Sequence, residues 1–191
     1  KTVQSSAFRI LIEALKEILT DANLEFDSTG MKVMAMDSSH TVLVHLKLHS
    51  DKFETYFCKN KIIVGVNMIN LFKLIKTMGN NETLTLYIEE ENESLLGIRI
   101  DNSEKNSITK FKLNLMDLQE ENIQIPPAAF DSVITLPSQD FQKVCRDMYN
   151  LADDIEIKSL ENQLIFSCNG EFASQETSIG ETHTGMSFLK N

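Results

Sequence analysis

Two stretches far apart in the chain carry the same apolar pattern. Phe8, Leu11, Ile12 and Leu15 recur as Phe141, Val144, Cys145 and Met148, at an offset of 133 residues that carries Ser5 onto Ser138. Each set is spaced at threes and fours, which builds one apolar stripe on a helix. The residues that follow also correspond. "NLEFDSTGMKVMA" and "DIEIKSLENQLIF" both read as strand, turn, strand. A repeat this long predicts two similar domains. A second copy beginning near residue 133 would need about 260 residues to finish, and the chain has 191. The expectation is a first domain over 1–117, a connecting loop over 118–132 and the beginning of a second domain over 133–191, incomplete at its C-terminal end.

Local signals place the elements. Ser5 or Ser6 is the expected cap of the first helix, which should end at Asn23 or the residues before it. Ser28-Thr29-Gly30 marks the following turn. "TVLVHLKL" alternates, with Val42, Val44, Leu46 and Leu48 facing one way and Thr41, Leu43, His45 and Lys47 the other. "KFETYFCKNKIIVGV" predicts two short strands around Lys59-Asn60. Asn67 should cap a second helix with the stripe Leu71, Leu74, Ile75 and Met78. Strands follow over "TLTLYIEE", "SLLGIRID" and "KFKLNLMDL". "QEENIQIPPAAFD" then reads as an extended, unusually apolar linker, and Ser138 is the expected cap of the third helix.

The chemistry is sparse. Cys58, Cys145 and Cys168 form no CxxC pair, and His45 and His49 lie on a strand at a spacing that suits a helix, so no metal site is expected. No phosphate-binding glycine loop occurs. No apolar run reaches the roughly 18 residues of a membrane span. "MDSSH" gathers Asp37, Ser39 and His40, the ingredients of a hydrolase. Strand alternation sends such neighbours to opposite faces, and no nucleophile elbow or oxyanion loop accompanies them. A turn at Asp37 to Ser39 explains the same residues, and leaves Leu43 on the outward face as a docking feature.

The net charge is −10, with 18 Lys and Arg against 28 Asp and Glu, which on average opposes binding to phosphates. The cations are nevertheless patterned. Arg9 and Lys16 share the first helix, Lys73 and Lys76 the second, and Lys143 and Arg146 the third. Their spacings keep each pair on roughly one face, off the apolar stripe. Side by side, those faces would form a basic strip able to hold a duplex backbone without reading sequence.

These segments resemble one family. "IEALKEILTDANLEFDSTGMKVMAMDSSHTVLVHL", "VGVNMINLFKLIKTMGN", "KLNLMDLQEENIQIP", "LPSQDFQKVCRDM" and "FSCNGEF" are similar, in order, to the eukaryotic-type DNA sliding clamp, the proliferating cell nuclear antigen family. The resemblance covers almost the whole chain, allows a viral member and implies the α+β fold class, two similar domains with helices on one face of antiparallel sheets. It implies a non-catalytic ring of three subunits around double-stranded DNA, without sequence preference or cofactor. Such a ring tethers a DNA polymerase and other proteins bearing clamp-binding peptides, and is placed on DNA by a clamp loader. The resemblance makes Arg9, Lys16, Lys73, Lys76, Lys143 and Arg146 DNA-facing. It makes Met36, His40, Thr41, Leu43, Ile123, Ile125 and Pro126 the partner-peptide pocket. Lys110, Lys112, Asn114, Cys145 and Ser178 become the subunit interface. It implies work in the nucleus, or at a viral replication site. Two departures stand out: Glu161 occupies a turn where the family often has a modifiable lysine, and Ile10 replaces a basic residue. A checkpoint-type heterotrimer subunit, a viral processivity factor that forms no ring, and the hydrolase remain as alternatives.

Overall fold

A computed structural model describes residues 1–119, 123–125, 127 and 129–190. Pro126 lies outside the described residues. The chain forms two compact units, Lys1–Gln124 and Ile125–Asn191.

The first unit opens with α1 (Ser5–Leu15), followed by β1 (Asp21–Asp27), β2 (Gly30–Met36), β3 (Leu43–His49), β4 (Ile62–Asn67), α2 (Met68–Ile75), β5 (Thr83–Glu89), β6 (Asn92–Asn102) and β7 (Ser107–Asn114). A single 3-10 turn, Ser50–Lys52, follows β3. One antiparallel sheet has the order β3-β2-β1-β4 and another β5-β6-β7. An antiparallel bridge between Gly65 and Met116 ties β4 to the residues just after β7. Gly65 is needed there, because a Cβ at this position would overlap the Met116 carbonyl oxygen.

Both helices press their apolar stripes onto the inward rows of these sheets. Phe8, Ile12 and Leu15 of α1 and Leu71 and Ile75 of α2 join Leu24, Val33, Val64, Leu84, Leu96 and Ile98 in one buried cluster. Each such side chain contributes roughly 1.5–3 kcal/mol by leaving water. Val44, Leu46 and Leu48 of β3 pack against the same cluster, as alternation predicts.

The second unit repeats the plan with a smaller core. It comprises β8 (Val133–Thr135), α3 (Ser138–Tyr149), β9 (Glu156–Leu160), β10 (Gln163–Asn169), β11 (Ser174–Gly180) and β12 (Ser187–Lys190). Its sheets have the orders β11-β10-β9 and β12-β8. Val144 and Met148 pack with Leu164, Phe166, Cys168 and Met186. The 133-residue offset carries α1 onto the start of α3 and β2 onto β10 residue for residue.

Several expectations need correction. Neither Ser5 nor Ser6 caps α1: the cap position is Gln4, and the buried Ser5 hydroxyl instead donates to the Gly79 carbonyl at 3.2 Å. Ser138 likewise makes no cap, since Pro137 occupies that position. The helix stops at Leu15, so Asn23 lies inside β1. Asn67 does cap α2, accepting from the Asn70 amide at 3.0 Å. Only β4 forms in the segment expected to hold two strands, because its aromatic residues are used elsewhere. Tyr56 stacks on Phe53 at 5.4 Å, and its hydroxyl reaches the Asp27 and Gly30 carbonyls at 2.7 Å each. Burial pushes that phenol up to about 12. Val42 belongs to the β2–β3 connection and is exposed, and Phe141 is exposed at the edge of the α3 stripe, against the Phe166 ring.

Candidate functional site

The basic pattern becomes a physical cluster in the first unit. Helices α1 and α2 pack together, and Arg9 crosses between them to donate from Nη1 to the Lys76 carbonyl at 3.4 Å. That carbonyl sits at the C-terminus of α2, where helix dipole and unpaired carbonyls favour a cation. Lys16 lies over the Phe72 ring, 5.0 Å from its centroid, and pairs with Glu17. Arg9 and Lys16 are therefore half-buried and partly engaged in joining the helices, whereas Lys73 and Lys76 are exposed. In the second unit, Lys143 and Arg146 are exposed on α3, clear of the buried Val144 and Met148.

A second feature lies at the end of the β2–β3 hairpin. Met36 pairs with Leu43 in the last rung of the ladder. The six residues between them close a loop around one carboxylate. Asp37 Oδ1 accepts from the Thr41 amide at 2.8 Å and the Val42 amide at 2.7 Å. Its Oδ2 accepts from the Ser39 amide at 3.2 Å and from the Ser39 hydroxyl. The Ser39 and Thr41 hydroxyls stand 2.7 Å apart. These bonds, led by the Ser39 hydroxyl, hold the Asp37 carboxyl well below the usual carboxylate range. His40 sits in the left-handed region at φ 54°.

This arrangement serves a turn. No hydrogen bond joins the His40 ring to Ser39, so a nucleophile–base pair is absent from the described contacts. The loop displays an apolar step instead: Met36 is half-buried, while His40, Thr41, Val42 and Leu43 are exposed, Val42 by 45% and Leu43 by 37%. Sequence reasoning missed two participants. Strand alternation, extended too far, turns Val42 inward. Turn chemistry at Asp37 to Ser39 leaves out the carboxylate's reach, although an Asp followed by Ser and Thr at two and four residues is a side-chain capping pattern. Ile123 is half-buried in the first unit, and Ile125 is exposed at the start of the second.

The expected interface residues lie on two sheet margins and a helix. Lys110, Lys112 and Asn114 project outward from β7, an end strand of its sheet. Lys112 pairs with Glu89 at 2.9 Å, and that hydrogen bond raises its pKa. Ser178 is exposed on β11, another end strand, and Cys145 is half-buried on α3.

A cleft of about 1190 Å³ lies elsewhere in the first unit, between β4 and β5. Phe26, Phe57, Ile62 and Leu86 line it, and none of the expected pocket residues does. Among the described residues no group of acidic, His and Cys side chains could hold a metal. No helix among them is long and apolar enough to cross a membrane.

Comparison with known proteins agrees with the repeat. The profile of the proliferating cell nuclear antigen N-terminal domain matches residues 1–122, and that of its C-terminal domain matches residues 124–187. The chain belongs to the proliferating cell nuclear antigen family. It is accordingly a DNA sliding clamp, a processivity factor of DNA replication. A curated relative, "Probable DNA polymerase sliding clamp 1" of Paramecium bursaria Chlorella virus 1, is 35% identical over 195 residues. That match takes in the whole of this chain and 74% of the relative. The two-domain layout of the family is the layout that the repeat predicts, and its α+β class is the one that the resemblance implies.

Proposed function

We propose that this clamp closes as a homotrimeric ring around duplex DNA and slides on it, with its helices toward the DNA. The observation that carries the reading is the α1–α2 pair, which gathers Arg9, Lys16, Lys73 and Lys76 on a chain of net charge −10. An acidic protein with cations collected on helices can hold phosphates loosely and without sequence preference. Lys143 and Arg146 on α3 extend this role, and Arg9 and Lys16 act partly by fixing the helices that present Lys73 and Lys76. The end strands β7 and β11 support ring closure. Each offers an unpaired margin, one bearing Lys110 and Lys112 and the other Glu176, so head-to-tail pairing joins opposite charges. Cys145, Asn114 and Ser178 complete that interface.

Partners dock on the β2–β3 hairpin end. Met36, His40, Thr41 and Leu43 form its floor, and we assign Ile123, Ile125 and Pro126 of the connecting loop (residues 118–132, between domains 1–117 and 133–191) to the same docking role. The ligand is an apolar peptide carried by a DNA polymerase or another replication protein, and a clamp loader opens the ring. The ring itself does no chemistry. The viral relative supports a viral replication site, in the nucleus or elsewhere in a host cell.

Primer extension on a circular single-stranded template tests the reading. Clamp plus loader should lengthen the products of the cognate polymerase. Lys73→Glu with Lys76→Glu should abolish the gain while leaving the melting transition in place. Unchanged processivity of this variant would remove the helices from the DNA-facing surface.

A further inference from the structure

We infer that Asp37 is the positioning residue of the partner-docking surface, which it shapes without touching the ligand. The inference rests on the docking role proposed for the β2–β3 hairpin end. Six residues separate Met36 from Leu43, too many for a tight hairpin turn, so the backbone ladder alone does not determine their path. The Asp37 carboxylate supplies the missing constraint. It receives the amides of Ser39, Thr41 and Val42 at 3.2, 2.8 and 2.7 Å, and the Ser39 hydroxyl. The Asp37 main chain closes the same loop: its amide donates to the Val42 carbonyl at 3.0 Å, and its carbonyl accepts from the His40 amide at 3.0 Å.

One consequence is the conformation of His40. A residue with a Cβ avoids the left-handed region unless its surroundings impose it. Here bonds on both sides, at Ser39 and Thr41, hold His40 at φ 54°. The other consequence is the exposure of Val42 and Leu43. With the Val42 amide engaged by the carboxylate, Val42 is held outside the ladder, beside the outward Leu43. The carboxylate thus sets the spacing of the imidazole and two aliphatic groups that a peptide would meet. Such preorganisation raises affinity by removing the cost of ordering the loop on binding.

Geometry, not charge, is the property at stake, and this separates the inference from a simple electrostatic effect. Asp37→Asn keeps one oxygen as acceptor for Thr41 and Val42, but its NH2 group can no longer accept from the Ser39 amide. Asp37→Glu keeps the charge but displaces the carboxylate by one methylene. The probe is a fluorescein-labelled synthetic copy of the apolar clamp-binding peptide of the cognate DNA polymerase, titrated by anisotropy into the clamp. Asp37→Asn, which keeps the Thr41 and Val42 bonds only, should bind less tightly than the parent but more tightly than Asp37→Ala, and Asp37→Glu and Asp37→Ala should each weaken binding roughly tenfold or more. Amide exchange at Thr41 and Val42 should speed up in the two weak variants only. Asp37→Glu binding as tightly as the parent, or Asp37→Asn as weakly as Asp37→Ala, overturns the inference. Should Asp37→Ala fail to fold, the Asn and Glu variants decide alone. Leu43→Arg distinguishes the two levels of the account. If it weakens the peptide while Asp37→Glu does not, only the positioning role fails. If Leu43→Arg leaves affinity unchanged, the docking surface itself is wrong and the positioning role falls with it.

Discussion

Asp37 also shows how a single side chain can be read at several levels. Its pKa is depressed in the folded chain by the Ser39 hydroxyl and the Val42 and Thr41 amides. A depressed carboxylate stabilises the fold above its unfolded value, near 3.8, and that contribution disappears as pH falls through the lower folded value. The loop should therefore keep its shape at pH 4. In a pH series of amide spectra, Thr41 and Val42 should shift only below the usual carboxylate range; a transition centred at 4 would contradict the bonding described. Core positions behave differently. Ile12 is fully buried between α1 and the sheet. Ile12→Ala should cost about 2–5 kcal/mol, measured by denaturant unfolding, and a cost below about 1 kcal/mol would mean the α1 stripe is not packed as described. Leu43→Arg, on the outward face, should leave stability within about 0.5 kcal/mol.

Elements differed in how far they could be read from residues alone. Helix stripes were legible because burial repeats every three to four residues, and Ile12, Leu71 and Met148 all face cores. The Asn67 cap was legible, but the cap expected at Ser5 was not, because Ser5 serves a distant partner, Gly79, instead of its own helix. The segment at Phe53 to Phe57 has strand-forming composition, yet Tyr56 is satisfied by carbonyls of the β1–β2 hairpin instead of a ladder. The outward Leu43 was readable from alternation, whereas the display of Val42 depends on a carboxylate that no periodicity encodes. The tie between the two sheets of the first unit was also invisible, since it rests on backbone atoms of Gly65 and Met116. Gly65→Val should separate those sheets locally and destabilise the unit by about 1–3 kcal/mol, read as a lower melting temperature. Retained stability would show that β4 and Met116 part without consequence.

For the molecule as a whole, the charge total misleads and the distribution informs. A net −10 opposes general binding to nucleic acid, while in the proposed ring the cations on α1, α2 and α3 would give a weak hold that encirclement makes durable. This division between topology and affinity is the central claim, and retention on DNA of different topology tests it most directly. Clamp is loaded onto nicked circular DNA, washed at moderate salt, and measured before and after the circle is cut once. The account predicts that clamp stays on the circle and leaves the linear form through its ends. Equal retention on circular and linear DNA would contradict it, because contacts alone would then be holding the protein.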